Sequence, residues 1–280
     1  MKYDKSMNLD PKNKLFYHLP WMFLVFILIV SQSKATKPIG VQPNPIPVNG
    51  TFIIPPGFLF APFPSAACIN AANLPTSDSL TALQLAYSPS RGEEPQNIYS
   101  GIATSTKSFG FGFGYFGSLG DFKTTNGGFV GLGFKSDSSH YGVSYRNQDL
   151  SSSGKADFDL SYVYVDTREG LSYGGVLRSV NTSPQLNLGL GYASSRFFNI
   201  EFNVNAPKAS NLGHGDFILI GASNFSIAEK MTAHLQGNFH TQTSKLDALV
   251  AYNYWISDFA DAILQFSSPN VWSFGFSAVF

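Results

Sequence analysis

The sequence is poor in the residues that enzymes and nucleic-acid-binding proteins depend on. Its single cysteine, Cys68, excludes a disulfide framework within the 280-residue chain. Charged residues make up only 13% and the formal net charge is +0. No basic field is therefore available to attract a polyanion, and we expect no nucleic-acid partner.

Long hydrophobic runs are also missing. The most apolar stretch, residues 19–30, is shorter than the roughly 20 residues that a membrane-spanning helix needs. Lysines precede it, and Ser33-Lys34-Ala35 follows with small residues at the −3 and −1 positions of a cleavage site. We interpret residues 1–35 as a cleaved secretory signal peptide, with an uncleaved membrane anchor as the alternative.

The chain is rich in residues that alternate in size and polarity. In the last segment, Trp272, Phe274, Phe276, Ala278 and Phe280 share one parity, and small residues fill the other. A strand repeats every two residues, so these two sets lie on opposite faces. The same pattern recurs from Leu80 onward, interrupted by clusters of Gly, Asn, Asp and Ser that favour turns.

This pattern predicts fourteen antiparallel strands, and merging doubtful pairs would give twelve. A bacterial membrane barrel pairs its first strand with its last, which favours an even number. The predicted strands are 80–87, 97–104, 108–116, 128–135, 139–147, 156–166, 169–178, 185–193, 197–205, 216–223, 231–241, 245–255, 260–267 and 270–280.

The two parities indicate lipid on one side and a cavity on the other. A water-soluble β-sandwich also alternates, but its outer face normally carries Lys and Glu, whereas here it would carry Gly, Ser, Asn and Thr. We therefore expect the ring-bearing residues to contact lipid and the small residues to line a lumen. The fold class predicted is all-β, a transmembrane antiparallel β-barrel over residues 79–280. Aromatic residues near strand ends predict interfacial girdles: Tyr115, Phe134, Tyr164, Tyr192, Phe239, Tyr254 and Trp272.

Residues 36–78, between the signal peptide and the barrel, are rich in proline. Proline cannot donate to a sheet ladder, so this segment is not a central strand. It also carries the apolar clusters 52–54 and 58–60, which a solvated linker would lack. We expect it to dock, either in the barrel mouth as a plug or along the periplasmic rim.

The C-terminal strand resembles the recognition signal of bacterial outer-membrane barrels. Trp272, Phe274, Phe276 and Phe280 carry this resemblance. It implies a bacterial outer-membrane location, with outer-membrane lipid and the barrel-assembly machinery as partners.

A shorter motif resembles the long-chain fatty-acid transporter superfamily. Asn70-Ala71-Ala72-Asn73-Leu74 is similar to the Asn-Pro-Ala motif of that family, with Ala71 in the place of its proline. The glycine-alternating segment 109–115 is similar to its early strands. The resemblance implies a hydrophobic-solute channel, in which residues 36–78 form part of an N-terminal hatch before fourteen strands.

Several polar residues have the parity that should face the lumen. Either they neutralise one another and hold the wall in shape, or they form a constriction that orients a solute. These candidates are Asp157, Asp159, Arg178, Asn199, Glu201, Asn203, His234, Asn238 and Asp247.

The sequence contains no recognisable catalytic or metal-binding motif. Glycine-flanked serine elbows, His-Glu-x-x-His helices and P-loops are absent. His234 and His240 share a strand face but stand roughly 20 Å apart at about 3.4 Å per residue, too far to share a metal ion. His214-Gly215-Asp216 falls in a predicted turn, and we interpret these residues as turn-forming rather than as a catalytic dyad. We expect neither an enzyme nor a bound cofactor or metal.

The predicted function is passive passage of small solutes through a partly occluded lumen. In one hypothesis these solutes are hydrophobic. The first alternative is a structural or surface barrel with a filled lumen, which the inward Val163, Val165, Val176 and Val279 would favour. The second is a lipid-acting outer-membrane enzyme, for which His140 and His234 are the residues to test.

Overall fold

A computed structural model gives the fold of the chain. It describes residues 59, 65–75, 79–88, 96–119, 126–147, 150, 156–195, 198–206, 217–228, 230–257, 260–267 and 271–279. The predicted signal peptide, the turn at His214 and the terminal Phe280 lie outside these residues.

Fourteen strands form the body of the protein, as the alternation predicts. Each begins and ends within a few residues of its predicted bounds. The strands are β1 Leu80–Ser88, β2 Gln96–Ser105, β3 Phe109–Leu119, β4 Gly127–Ser136, β5 Ser139–Asn147, β6 Ala156–Asp166, β7 Leu171–Arg178, β8 Gln185–Ser195, β9 Phe198–Ala206, β10 Ile218–Ala228, β11 Met231–His240, β12 Lys245–Ser257, β13 Ala260–Ser267 and β14 Val271–Val279.

The strands close into one antiparallel barrel. Each strand pairs with its neighbours in sequence, and β1 also pairs with β14, from Ala82 opposite Val279 to Tyr87 opposite Phe274. Closure pairs both edges of every described strand. In lipid this matters because an unpaired backbone group has no water to bond with.

The two faces of the barrel wall have opposite chemistry. On β5, the outward Tyr141 and Val143 are 50% and 42% exposed, whereas the inward His140, Ser144 and Arg146 are buried. The same alternation of exposed apolar and buried polar residues runs around the wall. So extensive an exposed apolar surface would not be stable in water and suits an acyl-chain environment. No helix within the described residues is long and apolar enough to cross a membrane.

Three aromatic rings depart from the expectation that ring-bearing residues face lipid. Tyr99, Phe116 and Phe129 are buried inside the barrel and stack, with centroids 5.7 Å apart for Tyr99 and Phe129 and 6.4 Å for Phe116 and Phe129. The neighbouring Gly101 and Gly114 leave room for them: a Cβ on Gly101 would lie 2.7 Å from the Tyr99 hydroxyl.

The two ends of the barrel differ in the length of their connections. At one end the strands are joined by two to four residues: 106–108, 137–138, 167–170, 196–197, 229–230 and 258–259. At the other end the connections span three to eleven: 89–95, 120–126, 148–155, 179–184, 207–217, 241–244 and 268–270. Leu80 and Val279, where the barrel chain begins and ends, both lie at the short-turn end.

A compact segment before the barrel lies inside it. We call residues 65–75 the plug; it contains the short helix α1, Ala66–Ile69, and a 3-10 turn, Ala71–Asn73. Eight of its residues, among them Ala66, Ala71 and Leu74, are at most 1% exposed. Its two turns pack against β3, β4, β5 and β6.

Candidate functional site

The plug sits on a patch of wall that has no side chains. We call the five inward glycines beneath it the glycine floor: Gly110, Gly112, Gly131, Gly133 and Gly142. A Cβ on Gly110 would lie 2.5 Å from Leu74, and one on Gly112 would lie 2.8 Å from the Ala67 Cβ. Real Cβ contacts are never so short, so glycine is what allows the plug backbone to touch the wall.

The motif Asn70-Ala71-Ala72-Asn73-Leu74 forms the turn of the plug that lies on the glycine floor. The Asn70 Oδ1 accepts a hydrogen bond of 3.2 Å from the Ala72 amide, and the Ser161 Oγ accepts one of 3.1 Å from the same amide. The Ala72 carbonyl lies 3.2 Å from the His140 Nδ1. The Asn73 Nδ2 donates to the Leu59 carbonyl at 2.8 Å. The motif thus joins the plug to β5 and β6 through polar contacts.

A buried charge cluster contacts the C-terminal end of α1, in the middle of the plug. We call Arg146, Asp159 and Arg178 the latch. The Asp159 carboxylate accepts from Arg146 at 3.0 Å, from Arg178 at 3.3 Å and from the Ser179 amide at 2.9 Å. The second guanidinium nitrogen of Arg178 donates to the Ile69 carbonyl at 2.8 Å. Removing one partner of so buried a set leaves an uncompensated charge, which typically costs about 3–5 kcal/mol.

The plug also contains the single cysteine. The Cys68 thiol donates to the Ser65 carbonyl at 3.2 Å and is buried. Burial raises the pKa of Cys68 to about 12, against the opposing charges of Arg146 and Arg178. Only the thiolate is nucleophilic, so this thiol is inert near neutral pH while the plug is seated.

The wall across β8–β11 has a different lining, made of amide side chains. We call it the carboxamide wall: Asn187, Asn199, Asn203, Asn205, Asn224, Gln236 and Asn238. The inward positions of β9 are four consecutive polar residues, and those of β11 are five. They come together because β9 and β11 both pair with β10, which carries the inward Ile220 between Asn203 and Asn238.

Part of this wall is joined into a chain of hydrogen bonds. The Asn224 Nδ2 donates to the Asn199 Oδ1 at 2.7 Å, and the Asn224 Oδ1 lies 2.8 Å from the His234 Nδ1. The His234 Nε2 lies 3.3 Å from the Gln236 Oε1, and the Gln236 Nε2 donates to the Asn238 Oδ1 at 3.1 Å. The chain fixes the orientation of these side chains.

Beyond the chain, several buried amide atoms have no hydrogen-bond partner in the described part of the protein. Both side-chain polar atoms of Asn203 are in this state, as are the Asn238 Nδ2 and the Oδ1 atoms of Asn187 and Asn205. All four residues are at most 4% exposed. A buried polar group without a partner costs roughly 1–3 kcal/mol, so such a concentration calls for an explanation other than stability.

The nine lumen candidates named from the sequence are all buried on the inward face, but in two separate groups. Asp157, Asp159 and Arg178 lie near the plug, where the Asp157 carboxylate accepts from the Thr182 hydroxyl. The other group lies across β9–β12: Asn199, Glu201, Asn203, His234, Asn238 and Asp247. Their role as a constriction stays a prediction.

Sequence reasoning missed several residues of the site. Arg146, the third member of the latch, has the parity of Gly142 and Ser144, so the alternation of β5 could have identified it. Asn187, Asn205 and Gln236 were detectable in the same way. The glycine floor had no such signal, because only the docked plug distinguishes its members from other inward glycines.

The remaining sequence-based expectations concern the C-terminus and metals. Trp272, Phe274 and Phe276 face outward and are exposed, and their part in assembly stays a prediction. The His240 Nε2 lies 3.1 Å from the Asp247 Oδ2, within hydrogen-bond distance. The described residues contain no group of three or more potential metal ligands.

The comparisons with known proteins find likeness only among solved structures. The sequence matches no protein-family model and no curated protein. It is similar to a porin of Rhodopseudomonas blastica, with 10% identity and a TM-score of 0.44 over 72% of this chain and 99% of that one. It is also similar to KdgM porin, with 10% identity and a TM-score of 0.41 over 71% of this chain and 99% of that one.

The class of the protein follows from its own geometry. A closed fourteen-strand antiparallel barrel with an apolar outer surface and a polar inner surface has the architecture of a transmembrane β-barrel.

Proposed function

We propose that this barrel is a channel for the passive passage of small solutes, narrowed by its plug. The observation that carries the proposal is the carboxamide wall, in which amide atoms of Asn187, Asn203, Asn205 and Asn238 have no hydrogen-bond partner in the described part of the protein. A barrel selected only for stability would fill or pair such positions. Passage would need no cofactor and no coupled energy source.

The orientation of the channel supports a hatch-like role for the plug. In bacterial outer-membrane barrels the short turns face the periplasm and the longer loops face outward. We therefore assign the short-turn end of this barrel, where Leu80 and Val279 lie, to the periplasmic side. The plug, which leads directly into β1, would then enter the lumen from the periplasm.

A hydrophobic solute is the finer hypothesis that the motif at Asn70 suggests. The plug side of the lumen supplies apolar surface through Leu59, Ile69, Leu74, Val163 and Val176. That surface is already packed against itself, however, whereas the unpartnered groups lie on the amide side. A channel for hydrophobic solutes would thus require the plug to shift before such a solute could bind.

A structural barrel with a filled lumen is the second candidate. Val163 and Val176 are completely or nearly buried, and Val165 and Val279 pack against the same cluster, which favours this alternative on the plug side. A lipid-acting enzyme has less support. His140 and His234 are buried on the inward face, away from the outer surface that lipid would contact.

Single-channel conductance of the purified barrel in planar bilayers tests the proposal. We expect the native protein to conduct, and a variant with residues 65–75 replaced by a Gly-Ser linker to conduct more. Heat-modifiable gel migration serves as the control for a closed barrel in both proteins. Absence of conductance in the folded native protein and in the linker variant would reject the channel and favour the filled barrel.

A further inference from the structure

We propose that three residues at the outer mouth determine the ion preference of the channel and change it with pH. We call His240, Lys245 and Asp247 the mouth triad. They lie on the inward face of the β11–β12 hairpin, at the long-loop end of the barrel. The inference rests on the proposed channel and concerns which sign of charge its mouth favours.

Two basic side chains of the triad share one carboxylate. The His240 Nε2 lies 3.1 Å from the Asp247 Oδ2, and the Lys245 Nζ lies 3.1 Å from the Asp247 Oδ1. His240 and Lys245 are directly opposite each other on the paired strands, and Asp247 follows Lys245 by two residues on the same face. Each oxygen of the carboxylate therefore has its own basic partner.

The triad is open to water, unlike the residues deeper in the lumen. The side chains of His240 and Lys245 are 30% and 63% exposed, whereas that of Asp247 is 7% exposed. Both a proton and a passing ion can therefore reach the imidazole. The turn beside it is anchored, since the Thr241 amide donates to the Phe217 carbonyl at 2.9 Å and the Phe217 amide donates to the Thr241 Oγ1 at 2.9 Å.

The surroundings of His240 make it the group whose charge changes at this mouth. The inward Ile218 lies opposite it on β10, and the turn 241–244 consists of Thr, Gln, Thr and Ser. On β12 it faces Lys245 and Asp247. Lysine and aspartate ordinarily keep their charges between about pH 5 and 8, whereas histidine commonly changes its charge in that range.

Other charges of the described lumen lie further away or balance one another. Glu201 lies two inward steps deeper, about 14 Å below the level of His240. Lys135 and Asp261 lie at the short-turn end. Across the lumen at the long-loop end, the latch and Asp157 contribute two positive and two negative charges, which cancel.

Protonation of His240 changes the net charge of the triad. With a neutral imidazole, the charge of Lys245 cancels that of Asp247, and the imidazolium then adds one positive charge. A charge beside a low-dielectric wall acts on ions that pass within a Debye length, which is about 10 Å at 0.1 M salt. The mouth should therefore favour anions more strongly in acid than at neutral pH.

The reversal potential in planar bilayers under a KCl gradient, measured from pH 8 to pH 5, tests this inference. We expect the cation-to-anion permeability ratio of the native barrel to fall about twofold as the pH is lowered. His240→Gln keeps a hydrogen-bonding side chain that cannot take up a proton, and it should abolish the change. His214→Gln is the matched control, because it removes a histidine from the connection 207–217 at the same end.

Two further variants separate a titrating triad from a merely structural one. Lys245→Gln removes a cation beside the imidazole, so the midpoint of the pH response should rise by about half a pH unit or more. Asp247→Asn removes the carboxylate that favours the imidazolium, so the midpoint should fall by a similar amount. A structural role predicts no pair of opposite shifts. Heat-modifiable migration confirms that each variant is a closed barrel.

A reversal potential that does not change with pH in the conducting native barrel would overturn the inference. So would an unchanged pH response in His240→Gln, or its loss in His214→Gln alone. Absence of current at every pH would instead refute the channel, and with it the ion preference. NMR titration of the His240 imidazole in detergent, compared between the native protein and the two charge variants, would then still decide whether the triad titrates as a unit.

Discussion

The two sides of the lumen use their polar groups in opposite ways. Near the plug, Asp159 accepts three hydrogen bonds and Arg178 reaches both Asp159 and the Ile69 carbonyl. Across β8–β11, Asn203 is just as deeply buried and bonds through neither of its amide atoms. The charges on the plug side hold a segment in place, although the Arg146 Nε and the Tyr99 hydroxyl there have no partner among the described residues, whereas on the amide side the unpartnered atoms are amide groups of four asparagines. This difference separates the stability of the barrel from its proposed function.

Replacing a glycine of the glycine floor with a larger residue should have the largest effect, which we expect to see in the conductance. In Gly133→Val the new side chain would overlap the Ala71 carbonyl and Pro75, so we expect the plug to be displaced. Conductance should then approach that of the linker variant, measured in planar bilayers. Gly221→Val is the control, because a Cβ there meets no atom within 4 Å. Unchanged conductance of a folded Gly133→Val barrel would show that the floor does not seat the plug.

Breaking the latch should have the next largest effect. Arg178→Gln removes the charge that pairs with Asp159 and weakens the bond to Ile69, and we expect a loss of about 3 kcal/mol in unfolding free energy. Urea denaturation followed by gel migration measures it. Arg178→Lys keeps the charge and should lose less. Equal stability of native protein and Arg178→Gln would mean that the buried cluster does not anchor the plug.

The reactivity of Cys68 reports where the plug is. Because burial raises its pKa to about 12, the thiol is protonated at pH 8, and the seated plug also shields it. We expect negligible alkylation by a maleimide in the native barrel and rapid alkylation in Gly133→Val, measured by mass spectrometry. Because pH 8 and pH 10 both lie below this pKa, any residual native reaction should accelerate about tenfold per pH unit, whereas the exposed thiol of Gly133→Val should level off above its ordinary pKa. Fast native labelling at pH 8 would contradict the buried position.

The smallest expected effect is on stability at the amide side. Asn203→Leu is close to the native side chain in size and removes two buried amide atoms that have no partner among the described residues. We expect the unfolding free energy to stay the same or to rise by up to about 1 kcal/mol. Urea denaturation, run beside Arg178→Gln, makes the comparison direct. A loss as large as that of Arg178→Gln would show that the amide side also serves stability.

The fold was readable from the sequence because its signal is local. In β5, Tyr141, Val143 and Tyr145 alternate with small or polar residues, and that period alone fixes which face is which. The same period places Phe116 and Phe129 on the inward face, but it does not show that their rings fit there, because this depends on space that neighbouring glycines leave. The alternation predicts whether a residue faces the lumen or the lipid, but it does not predict which side chains or segments occupy the lumen beside it.

The contacts of the plug could not be predicted in this way. The Ala72 amide bonds to Ser161, which lies 89 residues further along the chain, and Arg178 reaches Ile69 across 109 residues. No periodic pattern encodes pairings at such distances. The unpartnered amides were invisible for a related reason: Asn203 was placed on the correct face, but only the assembled neighbours reveal which of its atoms stay unbonded.

The position of the plug in the chain bears on how the protein is assembled. The plug and the elements it contacts, β3 to β6 and Arg178 at the end of β7, lie between residues 65 and 178. These early hairpins can therefore enclose the plug before the later strands are in place, because their contacts with the plug join residues that are closer in sequence than those of the β1–β14 seam. The seam between β1 and β14 joins the two ends of the barrel chain, so the growing sheet can enclose the plug first and close into a barrel afterwards.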